Sequence, residues 1–266
     1  MVTVQDIYTF LNELAPVHYQ MDFDNSGLLL GDAAAPVTRV LVALDITDAV
    51  IEEAAADGAQ LIVSHHPLIF TPMKHVLADD LTGRKILRMA ACSLSAICMH
   101  TNLDIAEDGV NDTLMEALGA QVTGLLEHAG TDDNGSPLGC GRIGRLAAPM
   151  ALSEFLRFAA ARLRTNGLRY CDAGSAVEKL AVCGGAGGNM LELAHDAGCD
   201  TFLTADVKYD RFLAAKELGI NLIDADHFCT ENVVIPKLAE QLRRHFPEVT
   251  VSVSRRHGQT VQFYMP

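Results

Sequence analysis

The sequence predicts an α/β fold: two similar, intertwined α/β units from an internal duplication, with mixed sheets flanked by helices. Three observations predict it. Short apolar runs rich in Val, Ile and Leu alternate with helix-length segments. Glycines punctuate the helix ends. The second half also repeats the pattern of the first when the chain is shifted by 140 residues.

In order, Met1 to Pro16 reads as an amphipathic helix, with Asp6 and Glu13 and no basic cluster of the kind a targeting peptide carries. Val40 to Leu44 is a buried strand. Asp48 to Ala56 is a helix closed near Gly58. Leu61 to Val63 is the next strand and runs into Ser64-His65-His66-Pro67. Arg84 to Ala91 is helical, Leu94 to Met99 is a strand that delivers His100, and Val110 to Leu118 is a helix stopped by Gly119. Under the 140-residue shift Val42 falls on Val182, Gly58 on Gly198, Ile62 on Phe202, Ser64 on Thr204 and His66 on Asp206. Any two βαβ units match in this general way, so duplication and common architecture both account for it. Glu127 to Leu138, with Gly130, Asp132, Asp133, Asn134 and Gly135, is the richest turn signal and the expected crossing between units. The expected division is therefore 1–125 plus 225–266 for the first unit, carrying most of the candidate ligands, and 126–224 for the second.

Composition narrows the function. The formal net charge of −14 argues against a nucleic-acid partner, because such binding rests on Lys and Arg neutralising phosphates. It argues equally against an anionic membrane surface. No run of about 20 apolar residues is present, so no membrane-spanning helix is expected. Hydrophobic residues make up 49%, enough for a substantial core. Seven cysteines, an odd number with no Cys-x-x-Cys pair, fit reduced thiols in a cytoplasmic protein.

Three strand ends carry the chemistry. Ser64-His65-His66-Pro67 places two imidazoles where α/β sheets gather functional groups. Pro67 restricts His66 to extended backbone. The alternative is one packed and one solvated histidine. His100-Thr-Asn-Leu-Asp104 follows the next strand, and its Asp104 is either a ligand or a turn cap. Asp224-Ala-Asp-His227-Phe-Cys-Thr-Glu231 puts His227 and Glu231 on one helix face, as ligands or as an exposed pair. Cys229 faces away from both and reads as packing. Taken together these are three imidazoles and two carboxylates. A single catalytic ion takes about three protein ligands, so five suggest two divalent ions. Mixed nitrogen and oxygen donors suit zinc, iron, manganese or nickel. Gly184-Gly-Ala-Gly-Gly188, between a strand from Leu180 to Cys183 and a helix from Met190 to Asp196, either offers backbone N–H groups at Gly185 and Gly187 to an anion or is a turn where backbones approach closely.

At these residues the chain resembles the dinuclear-metal proteins known as GTP cyclohydrolase I type 2 homologs, or NGG1-interacting-factor-like proteins, in their short form. The marks are Asp24-Asn25-Ser-Gly27-Leu-Leu-Leu-Gly31, Leu44-Asp45-Ile-Thr47, Ser64 to Pro67, His100 to Asp104 with Gly109-Val-Asn-Asp112, Gly184 to Gly187, and His227 to Glu231. The chain departs from the family pattern in three ways: no tryptophan precedes Asp24, Asp226 stands where Gly is expected, and Asp210 where an aromatic-His pair usually ends. The resemblance implies metal ligation by His65, His66, Asp104, His227 and Glu231, with Glu231 as the bridge, and a homohexameric ring. It also implies metal-dependent hydrolysis of a nucleotide, with Lys208 on the phosphates and His100 as orienter or general acid/base. The competing reading is a non-catalytic metal-handling (chaperone or insertase) or regulatory protein.

Overall fold

The computed structural model describes residues 1–132 and 134–264. Asp133, part of the expected crossing loop, and residues 265 and 266, the end of the expected first unit, lie outside the described residues. In chain order the elements are α1 (Val4–Leu14), β1 (Gly27–Leu30), β2 (Arg39–Ala43), α2 (Asp48–Ala56), β3 (Leu61–Ser64), α3 (Leu81–Ala91), β4 (Ser95–Cys98), α4 (Thr101–Ile105) and α5 (Val110–Ala117). They continue with β5 (Ala120–Thr131), β6 (Pro137–Met150), α6 (Leu152–Leu163), β7 (Arg169–Cys171), β8 (Val177–Val182) and α7 (Leu191–Asp196). The last are β9 (Thr201–Thr204), α8 (Tyr209–Leu218), β10 (Asn221–Asp224), α9 (His227–Glu231), α10 (Val234–His245) and β11 (Thr250–Val253).

The chain forms two compact units: Met1–Ala106 with Ile235–Gly258, and Glu107–Val234 with Gln259–Pro266. The first has a five-stranded sheet in the order β1-β4-β3-β2-β11. All its neighbours run parallel except β1, which lies antiparallel to β4. β3 and β4 are buried along their whole length, as parallel strands covered on both faces must be. Leu41, Ile51, Ile62, Ile86, Met89 and Ala96 pack into one core between strands and helices. Helix starts follow side-chain caps: Thr3 with Asp6 closes a capping box on α1, Thr47 caps α2 and Asp80 caps α3.

The second unit has a six-stranded mixed sheet in the order β5-β6-β8-β9-β10-β7. Its core centres on Phe155, Leu114, Leu180, Leu203 and Ile223, and Cys229 is buried in it as expected. The two sheets share a plan: an antiparallel edge strand (β1 or β7) beside a run of parallel strands, four in the first sheet and three in the second. The registers repeat as well. Val40 faces Leu61 and Val42 faces Val63; 140 residues on, Leu180 faces Thr201 and Val182 faces Leu203.

The stretch from Glu127 to Leu138 is not a crossing loop. It is the closed end of a long antiparallel ribbon, β5 paired with β6 from Ala120↔Leu146 to Thr131↔Pro137. Its glycines and polar residues turn a hairpin, and the ladder continues through them with register shifts at Val122/Gly124 and His128/Gly130.

Glu53 of α2 fixes the chain after β11 within the first unit. Its buried carboxylate accepts from Ser254 Oγ (2.5 Å), from the Arg255 backbone N–H and Nε (both 3.0 Å), and from the Arg256 N–H (3.2 Å). Burial pushes this carboxyl up, but the donors from Ser254 and Arg255 outweigh it and lower the pKa from 4.5 to about 2. A lowered folded-state pKa stabilises above the unfolded value and loses that stability as pH falls through the window. Urea unfolding should therefore show about 3 kcal/mol disappearing between pH 4.5 and 2 from this group. Glu53→Gln should be less stable at pH 7 and lack this component; an unchanged acid profile would refute the assignment.

Candidate metal centre

In the first unit, His65 and His66 leave β3 at its carboxyl end, His100 follows β4, and Asp104 lies one turn into α4. The three ring centroids are 5.1 Å (His65–His66), 5.2 Å (His65–His100) and 5.6 Å (His66–His100) apart. One nitrogen from each ring lies within 4.8 Å of those of the other two. His65 is fully buried, and its Nε2 is 3.7 Å from Asp104 Oδ1.

Each ring is held through its other nitrogen. His65 Nδ1 meets the Met99 carbonyl at 2.8 Å, His66 Nδ1 meets Asp45 Oδ1 at 2.7 Å, and His100 Nδ1 meets Asp24 Oδ1 at 2.6 Å. A carbonyl or ionised carboxylate can only accept, so each Nδ1 carries the hydrogen, and a ring in its neutral form presents its lone pair on Nε2. Asp24 is itself fixed by the Thr101 N–H (3.0 Å), Thr101 Oγ1 (2.5 Å) and Ser26 Oγ (3.1 Å). Burial works to raise its pKa, but the hydrogen bonds from His100 and Thr101 hold it well below the usual carboxylate range. Backbone contacts set the aim of the strand end: Ser64 Oγ and Cys98 Sγ donate to the His66 and His65 carbonyls, both at 2.8 Å.

The second unit repeats the device on α9. His227 Nδ1 donates to Asp206 Oδ2 at 2.7 Å, and its Nε2 lies 3.1 Å from Glu231 Oε2, one turn on. Burial disfavours the charged ring, but the Glu231 hydrogen bond and charge, with those of Asp206, outweigh it and raise the pKa to about 9. Two aspartates here adopt left-handed backbone, Asp206 (φ +51°) and Asp226 (φ +73°). Asp226 caps α9 by accepting from the Cys229 N–H at 3.2 Å. Non-glycine residues in that region cost energy and collect at functional sites. The position of Asp226 is one that glycine fills without strain.

Three N–H groups of the Gly184–Gly188 loop are already bonded within the unit. Gly184 N–H donates to Asn111 Oδ1 (2.9 Å), Gly185 N–H to Thr230 Oγ1 (3.0 Å) and Gly187 N–H to Thr204 Oγ1 (2.9 Å). Those donors are consumed inside the unit, so an anion-binding role for Gly185 and Gly187 is not supported by the geometry. The glycines serve close approach instead. A Cβ on Gly185, at φ +63°, would fall 2.2 Å from Glu231 Oε1 and 3.2 Å from His227 Nε2. Lys208 caps the start of α8 and is exposed, two residues after Asp206. The residues that sequence reasoning passed over are the ring-holding aspartates. Asp24 and Asp45 lie in quoted motifs without an assigned role, and Asp206 surfaced only as the 140-residue counterpart of His66.

The donor set fits a metal: imidazoles each oriented by an acceptor on Nδ1, so that loss of any Nε2 proton leaves a lone pair already aimed, with buried carboxylates beside them. Such side-chain clusters at the ends of parallel strands define an α/β protein with groups that could hold a metal ion. The chain belongs to the Duf34/NIF3 (NGG1p interacting factor 3) family, whose model matches residues 2–259. It is 33% identical over 262 residues to a GTP cyclohydrolase 1 type 2 homolog of Clostridium perfringens, spanning 98% of this chain and 99% of that protein. It is 31% identical over 250 residues to the Protein NIF3 homolog of Schizosaccharomyces pombe, 87% of each chain. The crystal structure of a Bacillus cereus protein related to NIF3 superposes with a TM-score of 0.92 at 26% identity, over 99% of both chains. No helix among the described residues is long and apolar enough to cross a membrane.

Proposed function

We propose that this chain is a dinuclear metal protein in which His65, His66, Asp104, His227 and Glu231 hold two divalent ions, zinc, iron, manganese or nickel, and that it hydrolyses a nucleotide. The observation that supports this reading best is that His65, His66, His100 and His227 are each locked through Nδ1, an orientation that ligands need and a solvated histidine does not. When bound, a divalent ion acidifies water and polarises an acceptor oxygen. The chain's own residues do the rest. Asp45 and Asp206 keep His66 and His227 in the ligating tautomer. His100, backed by the ionised Asp24, presents Nε2 as a proton acceptor or donor for the substrate. Lys208 supplies a positive charge for the phosphates. A homohexameric ring and cytoplasmic residence belong to the same proposal; light scattering should return six times the 28.6 kDa chain mass. Monomer at working concentration would remove the ring.

The experiment is metal content per chain on protein purified without chelators, followed by nucleotide turnover on the same samples. Two ions in wild type, at least one lost in Glu231→Ala, and turnover lost in His227→Ala are expected. Turnover that survives in His227→Ala sinks the hydrolytic role. The second reading, a metal-handling protein without turnover, is favoured by the net charge of −14, which opposes a triphosphate. Two ions, no turnover with any nucleotide, and transfer to an apo-enzyme would establish it instead.

A further inference from the structure

We propose that Cys140 and Cys183 form a redox pair that closes to a disulfide under a peroxide oxidant and ties strand β6 to the foot of the Gly184–Gly187 loop. The two sulfurs are 4.0 Å apart, and both residues are buried. Their closeness follows from the sheet. β6 and β8 are antiparallel neighbours with Arg142 opposite Val182, so Cys140 and Cys183 flank the same rung from adjacent strands. Gly141 takes φ +67° between them, where a Cβ would lie 2.7 Å from the Val182 carbonyl oxygen. That close approach brings the β6 backbone onto β8 at the position of the pair. A disulfide needs its sulfurs at about 2.05 Å, so closure requires an approach of about 2 Å.

Cys98, Cys199 and Cys229 are buried too, so what marks out the pair is the 4.0 Å approach of its sulfurs. Burial pushes Cys98 well above its ordinary value, and Cys199 and Cys229 to about 11, which keeps them protonated and poorly nucleophilic. Cys92 is exposed and serves as an internal reference for solvent reactivity.

The chemistry balances with one equivalent of peroxide. The thiolate of one cysteine attacks the O–O bond, giving a sulfenic acid and hydroxide, which takes up the proton released by the thiol. The second sulfur then attacks the sulfenic sulfur and water leaves. Two thiols and one peroxide become one disulfide and two waters, and an added dithiol reverses it. Cys183 immediately precedes Gly184, whose N–H is held by Asn111, and Gly185, whose N–H is held by Thr230. The new bond therefore anchors a loop that already has three internal hydrogen bonds to side chains.

The test is hydrogen peroxide on the folded full-length protein, followed by denaturation, alkylation and peptide mass mapping. The expected result is a Cys140–Cys183 cross-linked peptide, five of the seven cysteines still alkylatable, reversal by dithiothreitol, and a melting temperature raised by a few degrees. Cys140→Ser and, separately, Cys183→Ala should abolish the cross-link. The mapping on wild type decides the matter even if one variant folds poorly. Cys140 and Cys183 remaining alkylatable while Cys92 is oxidised overturns the proposal. So does their appearance as separate sulfinic or sulfonic acids, or joined to other cysteines.

Discussion

Gly185→Ala is expected to cost the second unit about 2–4 kcal/mol and to weaken divalent-ion binding at least tenfold, by about the 10–100-fold typical of disturbed ligand surroundings. Two effects add. The backbone sits at φ +63°, where a side chain costs about 1 kcal/mol. The new methyl would also stand 2.2 Å from Glu231 Oε1, a distance that no non-bonded carbon and oxygen can share. Relief requires either Glu231 to rotate away from His227 or the loop to give up its hydrogen bonds to Thr230 and Thr204. Gly174, at φ +92° with open space for 4 Å around the point a methyl would occupy, gives the control: Gly174→Ala carries the backbone cost alone. Urea unfolding and a metal titration on both variants separate the terms. If Gly185→Ala behaves like Gly174→Ala, the packing of Glu231 against this loop is not the reason for the glycine.

Asp112→Ala should destabilise the second unit by about 3–5 kcal/mol, the range for breaking a buried ion pair from one side. Arg142 on β6 is only 4% exposed, and its Nε and Nη2 meet Asp112 Oδ1 and Oδ2 at 2.8 and 2.9 Å. The carbonyls of Gly139 and Gly141 accept from Nη1 at 2.9 and 3.0 Å. Losing the carboxylate leaves a guanidinium charge in a site built around its counter-charge, with water largely excluded. The same strand supplies the comparison. Arg145 and Glu178 also meet at 2.8 Å, but both are about half exposed, so Glu178→Ala should cost under about 1 kcal/mol. Chemical denaturation of the two variants in low and high salt decides it. Equal losses would show that burial is not what makes the Arg142 pair matter.

Much of the parallel framework was legible in the sequence because a buried strand must be apolar throughout. Leu61 to Val63 and Leu94 to Met99 were readable on that ground and differ from β3 and β4 only at their ends. The helix Asp48 to Ala56 was readable to the residue, since Thr47 caps it and Gly58 closes it. The β5–β6 ribbon was not. Its β5 strand is largely solvent-facing, so it lacks the apolar run, and its turn residues look like a linker. Of the candidate site, the histidines and carboxylates stand out as residue types at strand ends. Their holders do not: Asp24 is 76 residues from His100, and Asp206 is 21 from His227, separations that no local pattern announces. The role of Gly185 was hidden for the same reason, because Glu231 is its neighbour only in space.

The four acceptors on Nδ1 have an entropic meaning. A free imidazole gives up rotational freedom when it captures an ion, at about 0.5–1.5 kcal/mol per side chain. His65, His66, His100 and His227 have surrendered that freedom on folding, to Met99, Asp45, Asp24 and Asp206. The loss is charged to the stability of the two units rather than to any binding event. A partner then meets, within each unit, rings whose directions are already decided, and selection among partners falls to those fixed directions.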